Sequence, residues 1–228
     1  MTNLSEIIRE PLYPIAHAAH YVNVHPATLE TWVNGRRYQT KAGEQFSEPL
    51  IQLETGSEGL LSFTNLVEAH VLRSMRKIHQ LKMYRIRASL DYVGKELGHP
   101  WPLATVDFQT EGTSLFINHL GNLIDLSDTK QILLRELELH LTRIERNEEH
   151  LAQKLYPVTR TAFLEKKIIV INPTVSHGRP IIESKGVSTD IIADRWRAGD
   201  TFDVLQRDYG LSNDEYDEAL WYEQNQAA

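Results

Sequence analysis

Apolar residues in this chain return mostly every three or four positions and alternate only in short stretches. That pattern predicts a mainly helical protein with small β elements, an α+β fold. Ile15, Ala18, Ala19 and Val22 form one apolar stripe behind Pro14, a residue that can open a helix. After Asn23-Val24-His25 a shorter stripe follows, Leu29, Trp32 and Val33, opened by Pro26 and closed by Gly35. Two short helices joined by such a turn have the spacing of a helix-turn-helix, whose second helix enters the DNA major groove. A helix of barely two turns is unstable alone in water, so its stripe must pack on a neighbour. The two alanines of the first helix permit that close approach. Ala27, Thr28, Glu30, Thr31 and Asn34 then make up the open face, small or polar throughout. The same spacing also suits an αα-hairpin within a core, so spacing alone leaves both readings standing.

Downstream, Arg36, Arg37 and Tyr38, a turn at Gly43 and an apolar strand at Leu50–Leu53 predict a small β-wing. Helical periodicity resumes with Leu66, Val67, Val71 and Met75 on one face and Ser62 or Thr64 as cap. A further helix ends at Gly98, and the run His99-Pro100-Trp101-Pro102 is a break. Residues 103–118 alternate loosely, which predicts a hairpin around Glu111-Gly112. A helix over 127–140 is capped by Ser127 or Asp128; after it the charges could suit a further helix, but the alternation of Leu139, Leu141 and Leu155 favours a hairpin turning at Asn147-Glu148. Lys166 to Pro173 reads as a strand, and a turn leads to a second short one. Three helices close the chain at roughly 189–197, 201–209 and 213–224, with Gly199 and Gly210 as breaks and Ser212 as a cap. The expected divisions are a winged helix-turn-helix at 1–98, a middle α/β-hairpin segment at 99–160 and a three-helix module at 161–228.

Composition narrows the classes. With 41% apolar and 24% charged residues the chain can build an ordinary core. There is no apolar run long enough for a membrane span, and Met1 to Pro11 lacks the apolar stretch of a signal peptide. Cysteine is absent, which removes disulfides, thiol catalysis and zinc–cysteine sites and fits a cytoplasmic protein. The net charge of −7 looks wrong for a nucleic-acid binder until it is located. Residues 187–228 hold ten acids and three bases, so the rest of the chain is neutral overall. Within that rest, Arg73, Arg76, Lys77, Lys82, Arg85 and Arg87 form a run without any acid. Arg73, Arg76 and Lys77 share one helix face and could flank DNA phosphates.

Two stretches resemble known families. Residues 14–97 are similar to MerR-type winged helix-turn-helix domains, on the run from Ile15 to Val33, the basic wing Gly35-Arg36-Arg37-Tyr38 and the helix pair after it. Residues 168–224 resemble a small bacterial module of unknown function, DUF433, on Ile171-Asn172-Pro173 to Ile182 and Gly186 to Glu223. Proteins with that module are commonly assigned as VapB-type antitoxins of type II toxin–antitoxin pairs. The resemblance implies operator DNA and a toxin as partners, the toxin plausibly a PIN-domain ribonuclease, and helix-turn-helix symmetry implies a homodimer. DNA contacts would come from His25, Ala27, Thr28, Glu30, Thr31, Arg36, Arg37, Tyr38, Arg73, Arg76 and Lys77. His25 stands where MerR-like helices usually carry Ser or Thr, and Glu30 where arginine is frequent. The cap would then be weaker or made by the imidazole, and the carboxylate would repel phosphate or accept from a cytosine amine. Toxin contacts would come from Asp214, Glu215, Asp217, Glu218, Trp221 and Tyr222, an acidic face with aromatic anchors facing a basic ribonuclease groove.

Rival classes have weaker support. His17, His20 and His25 invite a metal site, but no carboxylate pair with ligand spacing accompanies them, so neither metal nor cofactor is expected. No nucleophile elbow, P-loop or dinucleotide fingerprint occurs, and no catalytic residue is assigned. A regulator sensing a small effector through 101–160, without a toxin, is the alternative. A bland scaffold with solvated basic and acidic helix faces is the third reading.

Overall fold

The computed structural model describes residues 3–41, 43–77, 81–99, 102–124, 130–157, 160 and 166–225. Helix α1 (Leu4–Ile7) leads to α2 (Ile15–Tyr21) and α3 (Pro26–Asn34). Ala18, Ala19, Leu29, Trp32 and Val33 are all buried, so the two stripes pack on each other as the periodicity requires. Asn23 takes φ 52° in the turn between them. Gly35 follows α3 at φ 72°, and a Cβ there would lie 2.4 Å from the Ser47 carbonyl oxygen, so only glycine lets the wing fold back so closely.

The wing is β1 (Arg36–Thr40) paired antiparallel with β2 (Gly43–Ser47), Arg36 opposite Ser47. This corrects the expected second strand at Leu50–Leu53. Leu50 and Ile51 are buried and donate their N–H groups to the Trp32 carbonyl. Their apolar side chains gain more by sealing α3 than by lying in a ribbon whose residues are nearly all exposed.

Helix α4 (Phe63–Lys77) is capped by Ser62, whose hydroxyl accepts from the Asn65 N–H at 3.2 Å while Asn65 Oδ1 accepts from the Ser62 N–H at 3.0 Å. Helix α5 (Met83–Glu96) follows and ends before Gly98, as expected. The hairpin expected around Glu111-Gly112 does not form. A π-helical turn at Phe108–Gly112 runs directly into α6 (Thr113–Leu123). Phe108, Gly112, Phe116 and Leu120 recur every four residues and are buried, so helical burial outweighs the turn tendency of glycine. Gly112 is needed for packing there, since a Cβ would meet the Phe108 ring at 2.9 Å.

Helix α7 (Lys130–Leu141) packs on α4 and α6; the proposed caps Ser127 and Asp128 lie outside the described residues, as does the Pro100-Trp101 break. Strands β3 (Ile144–Arg146) and β4 (Ala152–Leu155) make the hairpin expected around Asn147-Glu148. The last part begins with a three-stranded antiparallel sheet, β5 (Ile169–Val170), β6 (Ile181–Ile182) and β7 (Val187–Ser188). Helices α8 (Thr189–Arg197), α9 (Phe202–Tyr209) and α10 (Asn213–Gln224) cover it. Ile169, Ile182, Ile192, Leu205, Leu211, Ala219 and Tyr222 form its own small core.

The parts are joined by backbone and side chains. Leu155 and Ile171 exchange both N–H···O bonds, at 3.0 and 2.8 Å, which continues the β3–β4 hairpin into the terminal sheet. Ser176, His177 and Gly178 form a left-handed turn with φ of 50°, 54° and 68°. That turn brings Gly178 against the Tyr13 ring just before α2, where any Cβ would collide with the phenol oxygen. Arg143 is buried and donates to the carbonyls of Tyr156 at 2.8 Å and Pro157 at 2.9 Å.

Candidate nucleic-acid interface

The first turn of α3 is shaped by its cap. His25 Nδ1 accepts from the Ala27 N–H at 3.2 Å, so the imidazole does the work of the usual hydroxyl. Ala27 and Glu30 are exposed, and Thr28 and Thr31 half-buried. The Thr31 hydroxyl donates to the Ala27 carbonyl at 2.8 Å, leaving its methyl group as the part most free to meet a base. Arg76, from the end of α4, reaches across to donate to Thr28 Oγ1 at 3.2 Å. That contact brings the open face of α3 and one member of the basic run onto a single exposed surface.

Arg36, Arg37 and Tyr38 stand exposed on the wing strand directly after α3. Arg37 pairs with Glu44 across the ribbon at 3.1 Å, and Tyr38 donates to Gln45 Oε1 at 3.2 Å. Both partners lie on β2, so the wing holds its own side chains extended. Arg87, further along the basic run, donates to the Glu48 and Pro49 carbonyls and fixes the exit of the wing. Arg85 lies beside the exposed Tyr84 ring and donates to its oxygen at 2.9 Å.

Arg73 corrects the expectation of a continuous basic face. It is 5% exposed and donates through Nε to the Asn23 carbonyl at 2.9 Å. Burial lowers its pKa to about 10. The residue therefore fastens the turn between α2 and α3 from inside, and its side chain does not face a duplex. Lys77 ends α4, and its side chain lies outside the described residues.

The terminal acidic face is also only partly a surface. Asp214 and Asp217 are exposed, and Asp214 pairs with Lys166. Glu215 closes a capping box with Ser212 and contacts Ser184, so its carboxylate is already committed to structure. Glu218 is completely buried and accepts from Arg160 Nε at 3.0 Å. Tyr222 is buried too, and Trp221 is half-buried against the small core. Glu218 and Tyr222 thus drop out as direct partner contacts, because on α10 they lie on the stripe that faces the protein. Trp196 and Ile191 of α8 are apolar and exposed instead, a signal hidden in sequence because Trp196 falls in step with the buried Ile192 and Ala193, and Ile191 stands beside them.

The three clustered histidines separate in space. His17 stacks on the Tyr21 ring, His25 caps α3, and His20 Nε2 lies 3.1 Å from Glu223 Oε2 of α10. Among the described residues no group of three or more His, Asp or Glu side chains is placed to hold a metal ion. None of the described helices is long and apolar enough to cross a membrane.

Residues 11–90 match the family model described as a putative DNA-binding HTH domain, and residues 169–222 match that of a protein of unknown function, DUF433. The fold and these matches define a helix-turn-helix protein with a C-terminal DUF433 module. Over 227 residues, 92% of each chain, the sequence is 30% identical to the "Putative antitoxin VapB45" of Mycobacterium tuberculosis. The chain belongs to that antitoxin family. An uncharacterised protein of the same organism, Rv2308, is 23% identical over 231 residues, 96% of this chain and 93% of the other. The crystal structure of Rv2018 from Mycobacterium tuberculosis has a TM-score of 0.65 at 26% identity, covering 92% of this chain and 97% of that one.

Proposed function

We propose that this protein is an antitoxin that binds its own operator and neutralises a cognate ribonuclease toxin of the PIN-domain class. The Thr28–Arg76 contact carries the DNA half of this reading, because it joins the α3 face to a basic side chain in one exposed patch. His25, Ala27, Thr28, Glu30 and Thr31 would meet base edges, while Arg36, Arg37, Tyr38 and Arg76 would meet phosphate and sugar. The toxin would approach the terminal module, where Asp214 and Asp217 are exposed and Trp196 and Ile191 offer apolar anchors. The complementary field of a basic ribonuclease groove would speed that encounter. Operator binding would use a homodimer on two half-sites, with repression of its own operon in the cytoplasm.

The test uses the full chain in two assays. In a gel shift on the DNA upstream of its own reading frame, Arg76→Ala and Thr28→Val should weaken or redirect binding. In a growth assay with the product of the adjacent reading frame, Asp214→Lys with Asp217→Lys should lose rescue while keeping the gel shift. Unchanged gel shifts with Arg76→Ala and Thr28→Val would overturn the DNA surface, and undiminished rescue by the double lysine variant would overturn the toxin surface.

A further inference from the structure

A cavity of about 500 Å³ lies between α1, the start of α4, the loop at 52–55 and the β3–β4 hairpin. Its size falls within the range of small-ligand sites, roughly 300–1,000 Å³. The wall contributed by α4 carries Glu68, only 4% exposed. Among the described residues one hydrogen bond reaches its carboxyl, from Asn65 Nδ2 at 2.9 Å. Asn65 cannot turn away, because it also holds Ser62 through Oδ1 and donates to the Gln52 carbonyl at 2.9 Å. The carboxyl is therefore fixed in place before anything enters.

No cation faces it within ion-pair distance among the described residues. Arg146 lines the same cavity but spends its guanidinium on Gln109 Oε1 and on the carbonyls of Ala104, Thr105 and His150, all at 3.0 to 3.1 Å. Glu54 and Glu149 line the cavity as exposed carboxylates, opposed by exposed Arg9 and accompanied by His99 and His150. A buried carboxyl without a counter-ion is costly when charged, and a glutamine or methionine would fill the same space without that cost. We propose that this cavity is a binding site for a small organic cation, whose ammonium or guanidinium head sits on the Glu68 carboxyl. The alkyl part would lie along Leu53, Leu151 and Ala152, which also line it. Burial pushes the Glu68 pKa up to about 8, with the Asn65 donor opposing and Glu54 adding to the rise, so an arriving cation would release a proton near neutral pH.

Isothermal titration of the full chain with n-butylammonium and n-butylguanidinium tests this, with 1-butanol as the uncharged control. Two buffers of different ionisation enthalpy count the proton. The expected result is saturable binding of at least one cation with proton release near pH 7, and none of 1-butanol. Glu68→Gln should weaken that binding by about tenfold or more, the worth of a lost charge-assisted bond. The proton count needs no substitution, so it decides the matter even if Glu68→Gln fails to fold. The proposal is overturned if neither cation saturates, if 1-butanol binds equally, if no proton is released, or if a folded Glu68→Gln binds as tightly.

Discussion

The Tyr222 hydroxyl donates a hydrogen bond of 2.8 Å to the backbone carbonyl of Tyr21, so the last helix of the chain caps the first helix of the helix-turn-helix. Carbonyls in the last turn of a helix have no partner within it, and this one is met by a side chain 201 residues away. His20 and Glu223 add a second bond alongside, and the His20 and Tyr222 rings lie 5.4 Å apart. The terminal module is thus part of what fixes α2, besides any partner it binds.

Tyr222→Phe removes only the oxygen and leaves the Tyr21 carbonyl without that donor. Stability should fall by about 1 kcal/mol, the usual net worth of such a bond. Urea denaturation followed by circular dichroism would read this, and an unchanged midpoint would mean that water replaces the phenol fully.

Arg73→Met keeps the length of the side chain and loses its donor to the Asn23 carbonyl. A loss of about 2–3 kcal/mol is expected, as for hydrogen bonds from a charged group. Operator affinity should fall with it, but the salt slope of binding should not change. A reduced slope in gel-shift titrations would instead place the Arg73 charge at the DNA.

Two substitutions separate attraction from repulsion at the interface. Arg37→Ala should lower the salt slope by about one and weaken all sequences alike, as a phosphate contact does. Glu30→Arg, on the exposed side of α3, should tighten non-specific binding, most strongly at low salt. Fluorescence anisotropy across a salt series would show both effects, and a flat response to Glu30→Arg would move that residue away from the duplex.

Glu68 predicts a pH dependence of folding. Its folded pKa of about 8 stands above the ordinary 4.5, so across that window the folded chain keeps a proton that the unfolded chain has released. Stability should therefore fall as pH rises through this range and level off above about 8. Glu68→Gln should flatten the curve, as measured by urea midpoints from about pH 5 to about pH 9. An equal slope in both proteins would assign the dependence to other groups.

Local pattern made much of this fold readable. The α2 and α3 stripes, the Gly35 stop, the hairpin at Asn147-Glu148 and the Ser212 cap all follow from spacing and turn chemistry among near neighbours. The misreadings came where burial overrode a local tendency. Leu50 and Ile51 have strand character but seal α3, and Gly112 looks like a turn but sits in a helix against Phe108. At the candidate site, the open face of α3 was legible because it is the complement of its stripe. The inward turn of Arg73, and the burial of Glu218 and Tyr222, were not. Each depends on a partner between 50 and 201 residues away, and one-dimensional charge patterns carry no such information.

The wing buries almost none of its own surface, since eight of its residues in two strands are exposed and only Thr40 and Ser47 are partly covered. A two-stranded ribbon without a buried face is marginal in water, so its backbone order is not supplied by the core. Fixing each residue costs roughly 1–2 kcal/mol in entropy, and in the proposed operator complex much of the side-chain part would be lost only on meeting a duplex. Operator association would then be strongly exothermic with an opposing entropy, tight only where the groove width suits the ribbon. In the proposed operator complex, so exposed a wing would make recognition by shape a matter of heat rather than of area.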